Sequence, residues 1–318
     1  MINFFQIARN TFRESIREPI FFILLLTALV LIGLFPSASL FVFSEQLKLV
    51  VDSAMATSMV FGLFAAILCA SHTISREMRN GTVLLLMSKP VQRWSFIMAK
   101  ICGIMTASLL FIFLCNCATV ISVYVAKDQF RFDMTAFFSY FAVLLACSIF
   151  GMVLNYLKAL PFSSVSFTAL LVTLPLLMIA TIVLGEHTEM DMLNLSKALI
   201  LLFFSVAVMS TLTVVFSTRL DMVPNLVVCC IVFFLGMISS YMFGGEASSP
   251  LTAIFFYICH ALLPNWQFFW LADALASNQS IPLDYIFMTA VYTVFYIILC
   301  SIWAVTLFMN CELAKDSR

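Results

Sequence analysis

The sequence predicts an all-α polytopic membrane protein with about eight transmembrane helices. Of its 318 residues, 63% are hydrophobic and only 10% are charged, whereas soluble domains are about 45–50% apolar and about 25% charged. A soluble fold must still meet water over its surface, which excludes a soluble enzyme of this composition. The charged residues also separate apolar runs longer than about 20 residues, the length with which a helix crosses the hydrocarbon core. These runs do not alternate apolar and polar residues, which argues against a β-barrel.

Nine runs of more than 20 residues lack Asp, Glu, Lys and Arg, and eight of them are predicted to be transmembrane helices. The run Ala247–Ala272 is the exception, because Pro250 and Pro264-Asn265-Trp266-Gln267 divide it into pieces of about 10–13 residues, too short to span. The segment 247–275 is therefore predicted to form short outer re-entrant helices before the last span. The predicted spans are 19–43, 53–75, 94–126, 134–157, 161–185, 197–218, 222–243 and 284–310.

The Lys and Arg residues predict that both termini are cytoplasmic, because cytoplasmic loops are enriched in these residues. With eight spans and an inside N-terminus, twelve of the 16 Lys and Arg are cytoplasmic. A nine-span alternative weakens this excess. A cleaved signal peptide is the competing interpretation of the N-terminus, but its apolar run is long for one and seven more spans follow. The twelve residues are Arg9, Arg13, Arg17, Arg76, Arg79, Lys89, Arg93, Lys100, Lys158, Arg219, Lys315 and Arg318.

Residues 1–18 are predicted to form a basic amphipathic helix along the membrane surface, with its apolar face in the acyl boundary. At 100° per residue, Ile7 is the one apolar residue that falls outside the apolar arc of about 160°. Two roles stay open for this helix: an anchor that fixes topology, or a lever that contacts a cytoplasmic partner. The apolar arc contains Ile2, Phe4, Phe5, Ala8, Phe12 and Ile16. The interface residues that we single out are Arg9, Phe12, Arg13 and Arg17.

The segment 76–93, between the second and third spans, has the form of a cytoplasmic docking helix. Asn80-Gly81 supplies a bend, and Val83–Met87 is an apolar patch too short to cross the bilayer. Pro90 suits the first turn of the next helix, where its missing N–H is not needed. A plain loop would have no reason to keep five apolar residues in a row.

Arg76-Glu77 is followed after three residues by Gly81-Thr82, and Ser88 is followed by Pro90-Val91 and Arg93. With this pattern the segment resembles the cytoplasmic loop of the permease subunits of type-2 exporter-class ATP-binding-cassette (ABC) transporters. Further likeness comes from the amphipathic N-terminal helix, from Leu263-Pro264-Asn265, from Glu312-Leu313 and, more weakly, from Ser217-Thr218-Arg219-Leu220. The family plan has six spans, so Met134–Gly185 looks like an inserted pair. The residues of the loop that carry the resemblance are Arg76, Glu77, Gly81, Thr82, Ser88, Pro90, Val91 and Arg93.

The resemblance implies a permease that pairs with a second copy or a related permease and binds a separate cytoplasmic ATPase, which holds ATP and magnesium. Closure of the ATPase pair would push on the amphipathic helix and on the segment 76–93. The chain has no Gly-x4-Gly-Lys-Ser/Thr motif, so it is not expected to cradle phosphates, hold a cofactor or act as an enzyme itself. The implied location is a bacterial inner (plasma) membrane. The implied ATPase-coupling residues are Arg76, Glu77, Arg79, Gly81, Thr82, Ser88, Pro90 and Arg93.

The roles of individual coupling residues stay open at this point. Glu77 would either accept a hydrogen bond from a basic group of the ATPase or cap a local turn. Gly81 would permit a backbone conformation closed to other residues. Arg79 and Arg93 would either pair with acidic groups of the ATPase or snorkel to lipid phosphates.

The predicted spans offer no catalytic or metal-binding constellation. The ten Cys lack ligand spacing and are interpreted as small hydrophobic residues, and the three His are scattered. The spans hold essentially no ionisable residues, which argues against an ion-coupled carrier. Net charge is zero, so nothing favours nucleic acid over the lipid bilayer as a partner.

The polar side chains of the spans leave two interpretations open. Asn116, Asn155 and Asn225 either join helices or line a transport path. A largely apolar path would suit a hydrophobic or amphipathic substrate, which we keep as a hypothesis. A stand-alone carrier or channel remains the alternative function.

Overall fold

The computed structural model describes residues 2–39, 46–79, 92–126, 133–185, 191–243, 263–276 and 279–309. The regular structure in these ranges is helical, and eight of the helices are long and apolar enough to cross a membrane. The prediction of an all-α chain with eight helices long and apolar enough to span a membrane is confirmed for these ranges.

The helices follow the predicted order along the chain. Each of the eight long helices corresponds to one predicted span, and α3 continues into a π-helix at Ser71–Ser75. The bounds are α1 (Ile2–Arg17), α2 (Pro19–Ser39), α3 (Gln46–Ala70), α4 (Arg76–Arg79), α5 (Arg93–Val125), α6 (Met134–Lys158), α7 (Phe162–Leu184), α8 (Met192–Ser217), α9 (Met222–Phe243), α10 (Ala272–Ala276) and α11 (Leu283–Met309).

Two long helices begin five or more residues before their predicted spans. Helix α3 starts at Gln46 rather than at 53, and α8 starts at Met192 rather than at 197. Charged residues mark where the hydrocarbon begins, whereas a helix continues until its end is capped. The Asp191 carboxylate caps α8 by accepting from the Leu193 N–H, which satisfies a backbone donor that has no partner within the helix.

Helices α3, α5 and α8 form the centre of the bundle. They are the most buried of the eight long helices, and α2, α9 and α11 pack around them. Helices α6 and α7 form a hairpin against α5 and α2 at the periphery, with most of their surface exposed. The Tyr140 hydroxyl of α6 donates to the Leu29 carbonyl of α2 at 2.7 Å, which fixes this hairpin to the bundle. The pair of helices that was predicted to be an insertion is thus peripheral.

Helix α1 packs across the first half of α5. Gly103 lets the two backbones approach, because a Cβ there would lie 2.7 Å from the Ala8 carbonyl oxygen and 2.7 Å from the Thr11 Cβ. Ile7, which did not fit the apolar arc, is half-buried against the core of the bundle. Its position therefore serves contact with the protein rather than with lipid. We call the end of the bundle at which α1 lies the α1 side; it is the side predicted to be cytoplasmic.

The segment 263–276 lies at the opposite end, between α9 and α11. Trp266 is buried in a 3-10 turn at Trp266–Phe269, and a Cβ on Gly236 of α9 would clash with its ring. The Tyr292 hydroxyl of α11 accepts from the Asn265 N–H at 3.2 Å. The predicted re-entrant segment 247–275 falls partly outside the described residues, since 247–262 are not described.

Candidate functional site

Lys100 is a buried cation on α5 at the α1 side. Only 4% of its side chain is exposed, and its Nζ donates to Glu77 Oε1 at 2.8 Å. The Nζ also lies 4.0 Å from Glu14 Oε2 and 5.7 Å from the centre of the Phe96 ring. A buried charge is tolerated only when it is paired. Lys100 therefore connects α5 with α1 through Glu14 and with α4 through Glu77.

The carboxylate of Glu14 is affected mainly by its partial burial. Desolvation raises the pKa of Glu14 above its ordinary value of 4.5, and the nearby Lys100 ammonium lowers it by a smaller amount. Its ionised form is therefore disfavoured in the folded protein. Proton uptake relieves this penalty, so the contribution of Glu14 to the packing of α1 improves as the pH falls toward 4.5.

We expect the substitution Glu14→Gln to remove this pH dependence. In the wild-type chain, α1 amide exchange corrected for intrinsic rates should slow by a few-fold between about pH 7 and about pH 5, because the Glu14 side chain is partly exposed and the effect is screened. In the variant the corrected rates should be nearly equal at both pH values. Equal pH slopes in the two proteins would show that another group controls the packing of α1.

A second ionic cluster joins the end of α1 to the π-helix. His72 Nε2 lies 2.9 Å from Glu18 Oε1 and 2.7 Å from Arg76 Nη1. A single ring nitrogen either donates to the carboxylate or accepts from the guanidinium, so the tautomer and charge of His72 determine which contact is a hydrogen bond. Glu18 and His72 also line a small apolar cavity with Met222 of α9.

The π-helix connects the same cluster to the turn between α8 and α9. Ser75 Oγ lies 3.0 Å from the Ser217 carbonyl oxygen and 2.8 Å from the Leu220 carbonyl oxygen. From this turn, Arg219 Nη2 donates to the Leu307 carbonyl of α11 at 2.9 Å. π-Helical turns are frequent at functional sites, where they re-aim side chains. Through these contacts the π-helix is linked to the C-terminal end of α8 and, by way of Arg219, to α11.

Two of the asparagines bond between helices. Asn225 Nδ2 of α9 donates to Ser71 Oγ of the π-helix at 2.8 Å, and Asn116 Nδ2 of α5 donates to the Leu199 carbonyl of α8 at 3.1 Å. Asn155 instead donates to the Leu160 carbonyl within its own hairpin. Of the two interpretations left open for these residues, the geometry favours joining helices.

The predicted coupling residues fall into three groups. Arg76 and Glu77 belong to the clusters around His72 and Lys100. Arg93 is exposed at the start of α5, and Arg79 ends α4 with its side chain outside the described part. The third group, Gly81, Thr82, Ser88 and Pro90, lies outside the described residues.

The predicted interface residues of α1 are a separate set. Arg9, Arg13 and Arg17 are exposed, whereas Phe12 is half-buried against the core.

The sequence did not identify the partners within the chain. Glu77 was expected to accept from the ATPase or to cap a turn, whereas its carboxylate accepts from Lys100. Lys100 was interpreted only as a cytoplasmic topology signal, and His72 as one of three scattered histidines. The available signal was the single charge of Lys100 inside a long apolar helix, since such a charge requires a partner.

No protein-family model matches the chain, and no curated protein is significantly similar to it.

Proposed function

We propose that this chain is the permease subunit of an exporter-class ABC transporter, driven by a separate cytoplasmic ATPase that binds ATP and magnesium. The observation that supports this proposal is the Lys100–Glu77 ion pair with Glu14 beside it. It joins α1, α4 and α5, and the first two are the elements on which an ATPase would push. In this proposal both termini are cytoplasmic and the membrane is a bacterial inner membrane.

The ionic contacts would transmit a displacement from α1 or α4 to the membrane helices. Separating Lys100 from Glu77 would leave buried charges uncompensated, so the two side chains would move together. Displacement of the π-helix would act on the turn after α8 through Ser75, and on α11 through Arg219. A second permease copy would complete the path. Because the buried asparagines are occupied in hydrogen bonds between helices, a transport path would be lined mainly by apolar side chains. Such a path suits a hydrophobic or amphipathic substrate.

The test is purification of the tagged full chain from its native membranes in mild detergent. We expect a cytoplasmic subunit that is labelled by photoreactive ATP to co-purify and to hydrolyse ATP. Recovery of the chain without such a subunit, with transport retained in proteoliposomes, would contradict the proposal and favour the stand-alone carrier or channel.

The variant Glu77→Gln tests the role of the ion pair in that complex. Because the neutral amide pairs more weakly with Lys100, we expect lipid- or substrate-stimulated ATP hydrolysis to fall by about tenfold. The ATPase subunit should still co-purify. The matched control is Lys158→Gln, which removes an exposed charge from the same side and should leave stimulation unchanged. Equal stimulation in wild type and Glu77→Gln would remove the coupling role from this pair.

A further inference from the structure

The charged residues of α1 and the adjoining Glu18 differ in their surroundings, since the acidic ones contact the bundle and the basic ones are exposed. The acidic residues Glu14 and Glu18 point toward the bundle, where they lie near Lys100 and His72 respectively. The basic residues of the helix, Arg9, Arg13 and Arg17, are all exposed. Among the described residues, none of these three arginines has an ion-pair partner. The charged residues that α1 exposes most are therefore all cationic.

The three arginines form one strip along the helix. Successive members are four residues apart, so each is rotated by about 40° from the one before. Thr11 and Ser15, which are fully buried, lie on the opposite face. We call Arg9, Arg13 and Arg17 the arginine strip.

The arginine strip lies where the apolar and polar surfaces of α1 meet. Phe5, one turn before Arg9 in the same row, leaves 73% of its surface exposed. In the neighbouring row, Gln6 and Asn10 are also exposed. A strip with a phenyl ring at one end and amides beside it matches the boundary between acyl chains and headgroups.

The contact with α5 places α1 at the level of the lipid headgroups. Gly103, against which α1 packs, is about 33 Å along the helix axis from Val125 at the far end of α5. The hydrocarbon core is about 30 Å thick. When Val125 lies at one boundary of the core, Gly103 therefore lies at the other, and the exposed face of α1 lies beside the headgroups of that leaflet.

We infer that the arginine strip binds the phosphates of anionic phospholipids, and that this lipid holds α1 against α5. Guanidinium groups pair with phosphate through two parallel hydrogen bonds, and anionic leaflets attract basic segments at the membrane surface. The buried face of α1 holds the helix from inside through Ile16 and the close approach at Gly103, and the lipid adds to this attachment from outside. This inference does not depend on the proposed transport function.

The test is amide hydrogen exchange of the purified full chain in two kinds of nanodisc. One contains phosphatidylcholine alone, and the other contains about one-third phosphatidylglycerol. Exchange of the α1 amides should be slower in the anionic nanodiscs, on the order of tenfold, because each arginine near an anionic surface contributes favourably. Amides of α8 should exchange equally in both. Raising the salt concentration should reduce the difference, because it shortens the range of the electrostatic attraction.

The triple variant Arg9→Gln, Arg13→Gln and Arg17→Gln should lose the difference between the two nanodiscs. Lys158→Gln, which removes one exposed charge of the same side outside α1, should retain it. Equal α1 exchange of the wild-type chain in neutral and anionic nanodiscs would overturn the inference. Protection that depends on a co-purified cytoplasmic subunit and not on lipid charge would also overturn it, and would assign the strip to a protein partner.

Discussion

Replacing Lys100 with methionine is expected to loosen the α1 side of the bundle more than any other single loss of charge there. The variant removes the ammonium that donates to Glu77 and lies beside Glu14. Removal of one partner from a fully buried ion pair costs about 3–5 kcal/mol. The Glu77 side chain is 21% exposed, which reduces this cost. We therefore expect the free energy of local unfolding at this end of the bundle to fall by about 2 kcal/mol, which is about 30-fold in the equilibrium constant for opening.

The effect should appear locally in amide exchange. Amides of the π-helix and α4 should exchange about 30-fold faster in Lys100→Met, since about 2 kcal/mol of local stability is lost. The thermal unfolding midpoint in detergent should also fall by about 5 °C. Lys158→Met is the matched control, because Lys158 is exposed at the end of α6; its exchange rates and midpoint should match those of the wild type.

A double variant distinguishes an uncompensated charge from lost packing. When Glu77→Gln is added to Lys100→Met, the carboxylate that faced the Lys100 ammonium becomes a neutral amide, so most of the lost stability should return. Additive destabilisation in the double variant would show that Lys100 acts through its packing against Phe96 rather than through its charge.

The number and order of the membrane helices could be predicted because the bilayer imposes a length on each apolar run. Their ends could not be predicted equally well. Lys48 and Asp52 interrupt the apolar run of α3, yet the helix continues back to Gln46. A helix outside the hydrocarbon can carry charges on its exposed or paired faces, so charge marks the boundary of the lipid and not the end of the helix.

The partners within the candidate site could not be predicted from local patterns. Glu77 and Lys100 are separated by 23 positions along the chain, and their contact depends on how α4 is placed beside α5. The amphipathic pattern of α1 identified its apolar face, but it did not show that Glu14 faces Lys100 of α5. The π-helix at Ser71–Ser75 has no sequence signature that we recognise, although it places Ser75 against the turn after α8.

Replacing Gly103 with valine is expected to displace α1 from α5. Even the Cβ of the new residue would lie 2.7 Å from the Ala8 carbonyl oxygen, which is backbone and has no alternative rotamer. Overpacking at a close contact costs about 1–3 kcal/mol, and here it can be relieved by separation of the two helices. Because Glu14 is carried by α1, its 4.0 Å contact with Lys100 should be lost as well.

The displacement should accelerate α1 amide exchange by about tenfold while the α8 amides stay protected, since α1 would separate locally without unfolding the centre of the bundle. Thr106→Val is the matched control: it adds no volume and lies about one turn further along α5, where the side chain is exposed. Normal α1 protection in Gly103→Val would mean that α1 does not depend on this close approach. Equal loss in Thr106→Val would point to a general weakening of α5.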